Sequence, residues 1–322
     1  MKAAVVTESG VVVREAPRPS PKPNEILVQV RAASLNRADL SVAAGHAHGP
    51  IGGPGTIPGL EWAGEVVEAG SEVQGFRSGA RVMCSGSGGY AEYAATDFGR
   101  CAAIPDGMSF ETATTLPLAL QTMHDAVVTN GRLQAGESIM IQGASSGVGL
   151  MALQIARRRG AAIVIGTSTN AARRARLSEF GATHALDTSD PAWPEKVNEI
   201  TGGKGVDVII DQVSASVANG NMRAAAVLGR IVNVGRLGGP KGEFDFDLHA
   251  LKRISYIGVT FRTRSVEEVR EINRRMRADL WDAVTAGELR VPVDRSFPLD
   301  DVNEALGHMK ANRHFGKVLL IP

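Results

Sequence analysis

The sequence predicts an α/β protein in which a doubly wound parallel sheet stands beside a β-rich domain built from the front and the tail of the chain. Three observations carry that expectation. From Ser138 onward, short apolar runs alternate with segments of helical period, the order that gives a parallel sheet covered by helices on both faces. Ahead of Pro105 the runs are short, β-branched and punctuated by Gly and Pro, as in a partly open barrel. Beyond residue 260, strand-like runs return around helices, so the tail is expected to rejoin the first domain. With 322 residues the chain has room for two cores. The expected division is 1–118 for the first part of the β-rich domain, 119–260 for the parallel-sheet domain and 261–322 for the return.

Taken in order, residues 2–6, 11–15 and 25–33 read as strands, with the Pro-rich stretch 17–23 between the last two. Residues 36–44 read as a short helix and 46–59 as a loop of Gly, Pro and His. Residues 60–68 alternate toward a turn at Gly70, Phe76-Arg-Ser-Gly-Ala-Arg-Val82 turns into another strand, and 86–89 lead into Tyr90-Ala-Glu-Tyr93. Residues 109–130 are helical in pattern, interrupted by Pro117 and ended by Gly131. Further strands are expected at 163–165, 185–186, 206–211, 230–234 and 254–259, with helices at 171–180, 194–201 and 214–228. In the tail, Val266, Val269, Ile272, Met276, Leu280 and Val284 line one face of a long helix. Strands at 291–297 and 317–321 then flank a helix near 300–310.

Composition narrows the function classes. Hydrophobic residues make up 43% and charged residues 21%, an ordinary soluble balance. A formal charge of +1 gives no global field for nucleic acid, and Arg270, Arg274, Arg275 and Arg277 read as the solvated face of the tail helix. Two cysteines, Cys84 and Cys101, supply neither a disulfide framework nor metal-ligand spacing. Met1-Lys2 runs directly into a strand-like Ala-Ala-Val-Val, and no apolar run approaches the length of a membrane span. A cytoplasmic location without a membrane partner is therefore expected.

The stretch Ser138-Ile-Met-Ile-Gln-Gly-Ala-Ser-Ser-Gly-Val-Gly-Leu150 organises the second domain. An apolar run breaks at Gly143 and resumes at Gly147 as a helix, with Val148, Met151, Ala152 and Ile155 at helical spacing and Gly160 as a stop. Strand, small-residue turn and helix form the geometry in which free N–H groups at a helix start face a pyrophosphate. The literal G-x-G-x-x-G is absent; Ala144, Ser146 and Gly149 stand at its three positions. A tight turn that binds nothing shares this pattern. As a dinucleotide site, it places Ala144, Ser145, Ser146, Gly147 and Val148 at the phosphates.

Several stretches together resemble one family, the zinc-independent medium-chain dehydrogenase/reductases of the quinone oxidoreductase (zeta-crystallin-like) type. They are Ser34-Leu-Asn-Arg-Ala-Asp39, Pro58-Gly-Leu-Glu-Trp-Ala-Gly64, Gly75-Phe-Arg-Ser-Gly-Ala-Arg-Val82 and Tyr90-Ala-Glu-Tyr93. Gly131-Arg-Leu-Gln-Ala-Gly-Glu137, the Gln142–Gly149 turn, Gly229-Arg-Ile-Val-Asn-Val-Gly235 and Phe315-Gly-Lys-Val-Leu-Leu320 follow in the same order. The resemblance implies a GroES-like catalytic domain, a Rossmann domain, a nicotinamide cofactor between them and a homodimer joined by sheet edges. Metal-dependent relatives place Cys at the start of the short helix and Gly-His-Glu after the loop. Here those places read Leu35-Asn36-Arg37-Ala38-Asp39 and Gly59-Leu60-Glu61. A catalytic zinc needs about three Cys, His or carboxylate ligands. Only His46 and His48 stand near enough in sequence to join Glu61, so no metal is expected.

For the cofactor, an NAD site commonly places an acid roughly 20 residues beyond the turn to hold the ribose 2′-hydroxyl. None occurs between Gly149 and Glu179; Thr167, Ser168, Thr169 and Arg173 stand there instead, residues suited to a 2′-phosphate. NADPH is therefore expected, although the family's Tyr near the end of the third strand is replaced by Leu186-Asp187-Thr188. By resemblance, Asn36 sits by the nicotinamide, Thr122 near its ribose and phosphate, Val234 and Gly235 under the cofactor, and Phe261 and Lys317 at the domain junction.

The chemistry this implies is hydride transfer from NADPH to a quinone or to the β-carbon of an activated alkene. Asn36 is a candidate catalytic residue. His46, with His48 in the same loop, is the candidate proton donor where the family often has Tyr; both histidines also read as ordinary exposed loop residues. An enoyl-thioester (enoyl-CoA) reductase and a non-catalytic NADPH-binding protein stay open as alternatives.

Overall fold

A computed structural model describes residues 1–49 and 51–322. Pro50, inside the loop expected at 46–59, lies outside the described residues. The chain divides into two units, one built from Met1–Gln121 and Phe261–Pro322, the other from Thr122–Thr260.

The first unit opens with β1 (Lys2–Thr7) and β2 (Gly10–Glu15), an antiparallel hairpin in which Val6 pairs Val11. Then come β3 (Glu25–Ser34), α1 (Arg37–Ala43), β4 (Glu61–Ala69), β5 (Arg81–Ser85), β6 (Tyr93–Asp97) and β7 (Cys101–Ala103). Two short helices close this part, α2 (Phe110–Ala113) and α3 (Pro117–His124), the second running on as a wider π-type turn to Asn130. The expected 109–130 helix is thus broken just before Pro117, where proline leaves the preceding turn without a donor.

The second unit contains β8 (Ser138–Ile141), α4 (Gly147–Arg158), β9 (Ile163–Thr167), α5 (Ala171–Ala175), β10 (His184–Leu186), α6 (Trp193–Ile200), β11 (Val206–Asp211), α7 (Ala218–Ala224), β12 (Ala225–Asn233), α8 (Phe246–Lys252) and β13 (Ser255–Gly258). All neighbouring strands are parallel, in the order β10-β9-β8-β11-β12-β13. Numbered within the unit that order is 3-2-1-4-5-6, the Rossmann arrangement, with its switch point between the first and fourth strands. Every residue of β8 and of β11 is buried, and apart from Ser138, Asp207 and Asp211 both strands are apolar.

The tail supplies α9 (Val266–Thr285), β14 (Val293–Pro298), α10 (Val302–Lys310) and β15 (Lys317–Ile321). β14 and β15 extend the sheet of the first unit, giving seven strands in the order β14-β15-β3-β4-β5-β7, with β6 paired to β3. The Val269, Ile272, Met276, Leu280 and Val284 stripe of α9 is buried, as its spacing predicted, but Val266 at the first turn is exposed. Ser265 caps this helix and Glu268 reaches back to the Ser265 N–H at 2.8 Å.

The expected helix at 214–228 is shorter than its pattern. Ser214 adopts φ 68°, and the helix proper covers only Ala218–Ala224. Ala225 instead pairs Val206 and opens β12, so tertiary pairing overrides the alanine-rich propensity of 224–226. The helix α8 had no counterpart in the periodicity; Asp245 caps it by accepting from the Leu248 N–H at 2.9 Å.

Candidate active site

The carboxyl edge of the Rossmann sheet gathers most of the expected cofactor residues. Leaving β8, the chain turns through Gly143, Ala144, Ser145 and Ser146 into α4. Ser146 is the N-cap, accepting from the Gly149 N–H at 3.1 Å, while its hydroxyl donates to Gly143 O at 3.0 Å. First-turn N–H groups have no partner within a helix, so those of Gly147 and Val148 remain directed off the helix end. Gly149 is required by packing, because a Cβ there would lie 2.7 Å from Ala144 Cα and O. The Ala144 N–H donates to Thr167 O at 2.9 Å, and the Gly143 N–H to Thr167 Oγ1 at 3.0 Å, which ties the turn to the end of β9.

Ser145 and Ser168 hydroxyls meet at 3.1 Å, and Thr169 is exposed beyond them. Arg173 is half-buried in α5, whose cap Asn170 accepts the Arg173 N–H at 3.0 Å. Its neighbour Arg174 was not singled out from the sequence, yet its guanidinium bonds Ser168 O at 2.8 Å and Asp187 at 2.9 Å. The carboxylate missing from the second strand therefore arrives from just beyond the third, already paired with an arginine. Ser189, bonding Asp187 through its hydroxyl and its N–H, and Arg174 hold that carboxyl below the usual range. On the far side of β8, the Val234 N–H donates to Asp211 O at 2.8 Å. Gly235 crosses so close that a Cβ would lie 2.6 Å from Gln212 O.

Asp211 is fully buried and accepts from Val213 N, Ser214 N and Asn221 Nδ2 at 2.8, 2.9 and 3.0 Å. These bonds hold Ser214 at φ 68° and ψ −123°, a conformation that favours glycine and costs of order 1–3 kcal/mol. Burial raises the Asp211 carboxyl, and burial with that neighbouring charge pushes the Tyr256 hydroxyl up to about 12. A cavity of about 200 Å3 opens beside this edge, lined by Ser214, Asn233, Arg236, Lys241, Phe244 and Tyr256 among others. Thr122, also of this unit, is half-buried on α3.

In the first unit, Asn36 and Lys317 come together around Glu61. Asn36 is the N-cap of α1, a position where its side chain would ordinarily accept from the helix. Asp39 closes a capping box by accepting from the Asn36 N–H at 2.8 Å, and the Asn36 amide makes further bonds. Its Nδ2 donates to Glu61 Oε1 at 2.9 Å, and its Oδ1 accepts from Lys317 Nζ at 2.7 Å. Lys317 also bonds Glu61 directly, and the second Glu61 oxygen accepts from the Leu118 N–H at 2.9 Å. Glu61 is 0% and Lys317 3% exposed, so this is a buried, fully bonded ion pair.

Asp39 and Tyr90 extend the cluster: the Tyr90 hydroxyl donates to Asp39 Oδ2 at 2.9 Å, and the Gly59 N–H donates to Oδ1 at 3.3 Å. Burial pushes the Asp39 carboxyl up to about 6 against those donors, and it raises the Tyr90 hydroxyl further above its usual range. The two remaining expected residues stand apart. His46 is exposed on the loop after α1, with its N–H on Ser41 O at 3.0 Å, and Phe261 is half-buried in the turn ahead of α9.

Comparison with known proteins places this architecture. A family profile described as "Alcohol dehydrogenase GroES-like domain" matches residues 22–106, and one described as "Zinc-binding dehydrogenase" matches 147–277. The fold is thus that of the alcohol dehydrogenase superfamily, a GroES-like unit with a Rossmann unit. Quinone oxidoreductase-like protein 2 of Bos taurus is 29% identical over 311 residues, covering 96% of this chain and 88% of the bovine one. A mycobacterial protein solved in complex with NADPH has 27% identity and a TM-score of 0.89, with 100% of both chains covered. A highly reducing polyketide synthase of Cordyceps militaris is 29% identical over 307 residues, 92% of this chain. The chain spans about 12% of the length of the synthases it matches. The chain belongs to the zinc-independent medium-chain dehydrogenase/reductases of the quinone oxidoreductase family.

The zinc in one profile's description does not fit the residues present. Glu61, the one carboxylate of the expected metal position, is taken up by the Lys317 ammonium, the Asn36 amide and the Leu118 N–H. Among the described residues, no group of three or more His, Cys, Asp or Glu is placed to hold a metal ion. Among them, too, no helix is long and apolar enough to cross a membrane.

Proposed function

We propose that this protein is an NADPH-dependent reductase that delivers hydride to quinones or α,β-unsaturated carbonyls without a metal. The observation that carries the reading is the hydroxyl- and arginine-lined edge where the 143–146 turn meets the end of β9, with its one nearby carboxylate, Asp187, neutralised by Arg174. The Gly147 and Val148 N–H groups and the Ser145 and Ser146 hydroxyls would hold the pyrophosphate. Ser168, Thr169, Arg173 and Arg174 would receive the 2′-phosphate, a dianion that an unpaired carboxylate would repel. Val234 and Gly235 offer backbone at the next strand end, while Thr122, Phe261, Asn36 and Lys317 are assigned to the cofactor by the family resemblance alone. The NADPH-bound mycobacterial relative supports this assignment.

When bound, the reduced nicotinamide supplies the hydride. Asn36 is held in one orientation by Glu61 and Lys317, so its amide is preorganised. Lys317, paired with Glu61, fixes the Asn36 side-chain carbonyl oxygen in place through its own hydrogen bond. His46, exposed and near water, is the candidate proton donor. Solution in the cytoplasm and a homodimer paired through a sheet edge belong to the same reading.

An enoyl-thioester reductase is the second reading, favoured by the match of 92% of this chain to highly reducing polyketide synthases. Steady-state turnover with 1,4-benzoquinone, a simple enone and a short enoyl-CoA at equal concentrations separates the two. A kcat/KM higher for the quinone or enone supports the first. A preference for the thioester overturns it, and tight NADPH binding without turnover leaves a non-catalytic binding protein.

A further inference from the structure

The two cysteines of the chain are register partners on adjacent antiparallel strands, Cys84 in β5 and Cys101 in β7. The ladder fixes their pair type. Across the same strands the Ile104 N–H donates to Arg81 O at 3.0 Å, which makes Arg81 and Ile104 a hydrogen-bonded pair. Pair types alternate along an antiparallel ladder, so Met83–Ala102 is hydrogen-bonded and Cys84–Cys101 is not. In non-hydrogen-bonded pairs the Cα atoms are about 4.5 Å apart and the side chains closest. Disulfides span Cα separations of about 4.4–6.8 Å. The Cys101 S–H donates to Asp97 O at 3.4 Å, a local bond that a bridge to Cys84 would replace. β7 has three residues and ends the sheet, so closing a bridge displaces only a short edge segment.

The two thiols are not equivalent. Cys84 is fully enclosed, and its burial with a second sulfur alongside disfavours the thiolate. Cys101 keeps 3% exposure and lines a cavity of about 20 Å3, room for about one water-sized molecule. Arg100 and Arg277 line the same cavity, both guanidiniums act electrostatically on Cys101, and Arg277 Nη1 holds the Cys101 carbonyl at 3.1 Å.

We propose that Cys84 and Cys101 form an oxidation site for small hydroperoxides, closing to a cross-strand disulfide with Cys101 as the attacking and Cys84 as the resolving thiol. The Cys101 sulfur attacks one peroxide oxygen as its proton is lost; the O–O bond breaks, leaving a sulfenic acid on Cys101, and the other oxygen leaves protonated, as water from hydrogen peroxide or as the alcohol from an alkyl hydroperoxide. Cys84 sulfur then attacks the Cys101 sulfur, the S–O bond breaks, and water leaves. Two thiols and one hydrogen peroxide become one disulfide and two waters. The bridge closes the segment between residues 84 and 101, which carries Tyr90 of the Asp39 cluster.

The test is hydrogen peroxide titration of the native, full-length protein, followed by alkylation under denaturing conditions, intact mass and peptide mapping. Wild type should lose both thiols together and yield the Cys84–Cys101 peptide within one chain. Cys84→Ser should accumulate a dimedone-reactive sulfenic acid on Cys101, while Cys101→Ser should lose its remaining thiol at least about tenfold more slowly than wild type. Two free thiols persisting in wild type, bridges only between chains, or a sulfenic acid trapped first on Cys84 would overturn the proposal. The wild-type measurement stands whether or not either variant folds.

Discussion

Replacing Lys317 with Met keeps the length of the side chain and removes the ammonium shared by Glu61 and Asn36. Glu61 is 0% exposed, so the variant leaves a buried carboxylate with only the Asn36 amide and the Leu118 N–H. Breaking one side of such a pair costs about 3–5 kcal/mol. Glu61→Gln inverts the problem, leaving a buried ammonium with neutral partners only, the Asn36 and new amide oxygens. The double variant removes both charges and with them the desolvation cost, so its loss should fall short of the summed singles by about 2–3 kcal/mol. Equilibrium urea unfolding at pH 7 reads all four proteins, with Trp62 and Trp281 reporting from the unit that holds the pair. Additivity within about 0.5 kcal/mol would refute the reasoning, because independent sites add that closely.

Other consequences are as direct. Asp39 titrates in the fold at about 6 against an ordinary 3.8, so the folded state holds its proton more tightly than the unfolded chain. Its contribution is fully present below about pH 4 and is lost as pH rises through about 6, a fall of about 3 kcal/mol. Asp39→Asn should remove that slope, read as the difference between wild-type and variant stability at pH 4 and pH 7; an unchanged slope would rule the assignment out. Leu228 sits at φ 66° and is 58% exposed, so Leu228→Gly should raise stability by about 0.5–1 kcal/mol despite glycine's entropy. A lower denaturation midpoint would contradict this. Gly149→Ala forces a Cβ against Ala144 and should cost about 1–3 kcal/mol of stability together with a weakened NADPH Kd. An unchanged Kd would remove the turn from cofactor binding.

The sheet architecture was legible because its signals are local. β8 and β11 are buried on both faces and mostly apolar, and α9 carries one buried stripe, so local pattern found all three. The 214–228 segment was misread because its alanines favour a helix, whereas Ser214's positive φ and the pairing of Ala225 with Val206 are imposed from outside it. The Glu61 cluster joins residues 256 positions apart, and nothing in local composition shows that Lys317 reaches Glu61. Asp39 and Tyr90 lay in family-like stretches but no spacing rule links them. Arg174 was passed over for Arg173 because two adjacent arginines look alike until one is seen on Ser168 and Asp187.

The central claim is hydride transfer from NADPH, with the 2′-phosphate received beside the end of β9. The most direct measurement is kcat/KM for NADPH and NADH with 9,10-phenanthrenequinone, on wild type, Arg173→Ala and Arg174→Ala. Wild type should strongly prefer NADPH, and each variant should lose about 1–3 kcal/mol of that preference, the worth of a charged hydrogen bond. Arg174→Ala should also gain activity with NADH, because Asp187 loses the arginine that neutralises it and can accept from a ribose hydroxyl. Equal use of NADH and NADPH by wild type, unmoved by either substitution, would contradict the account.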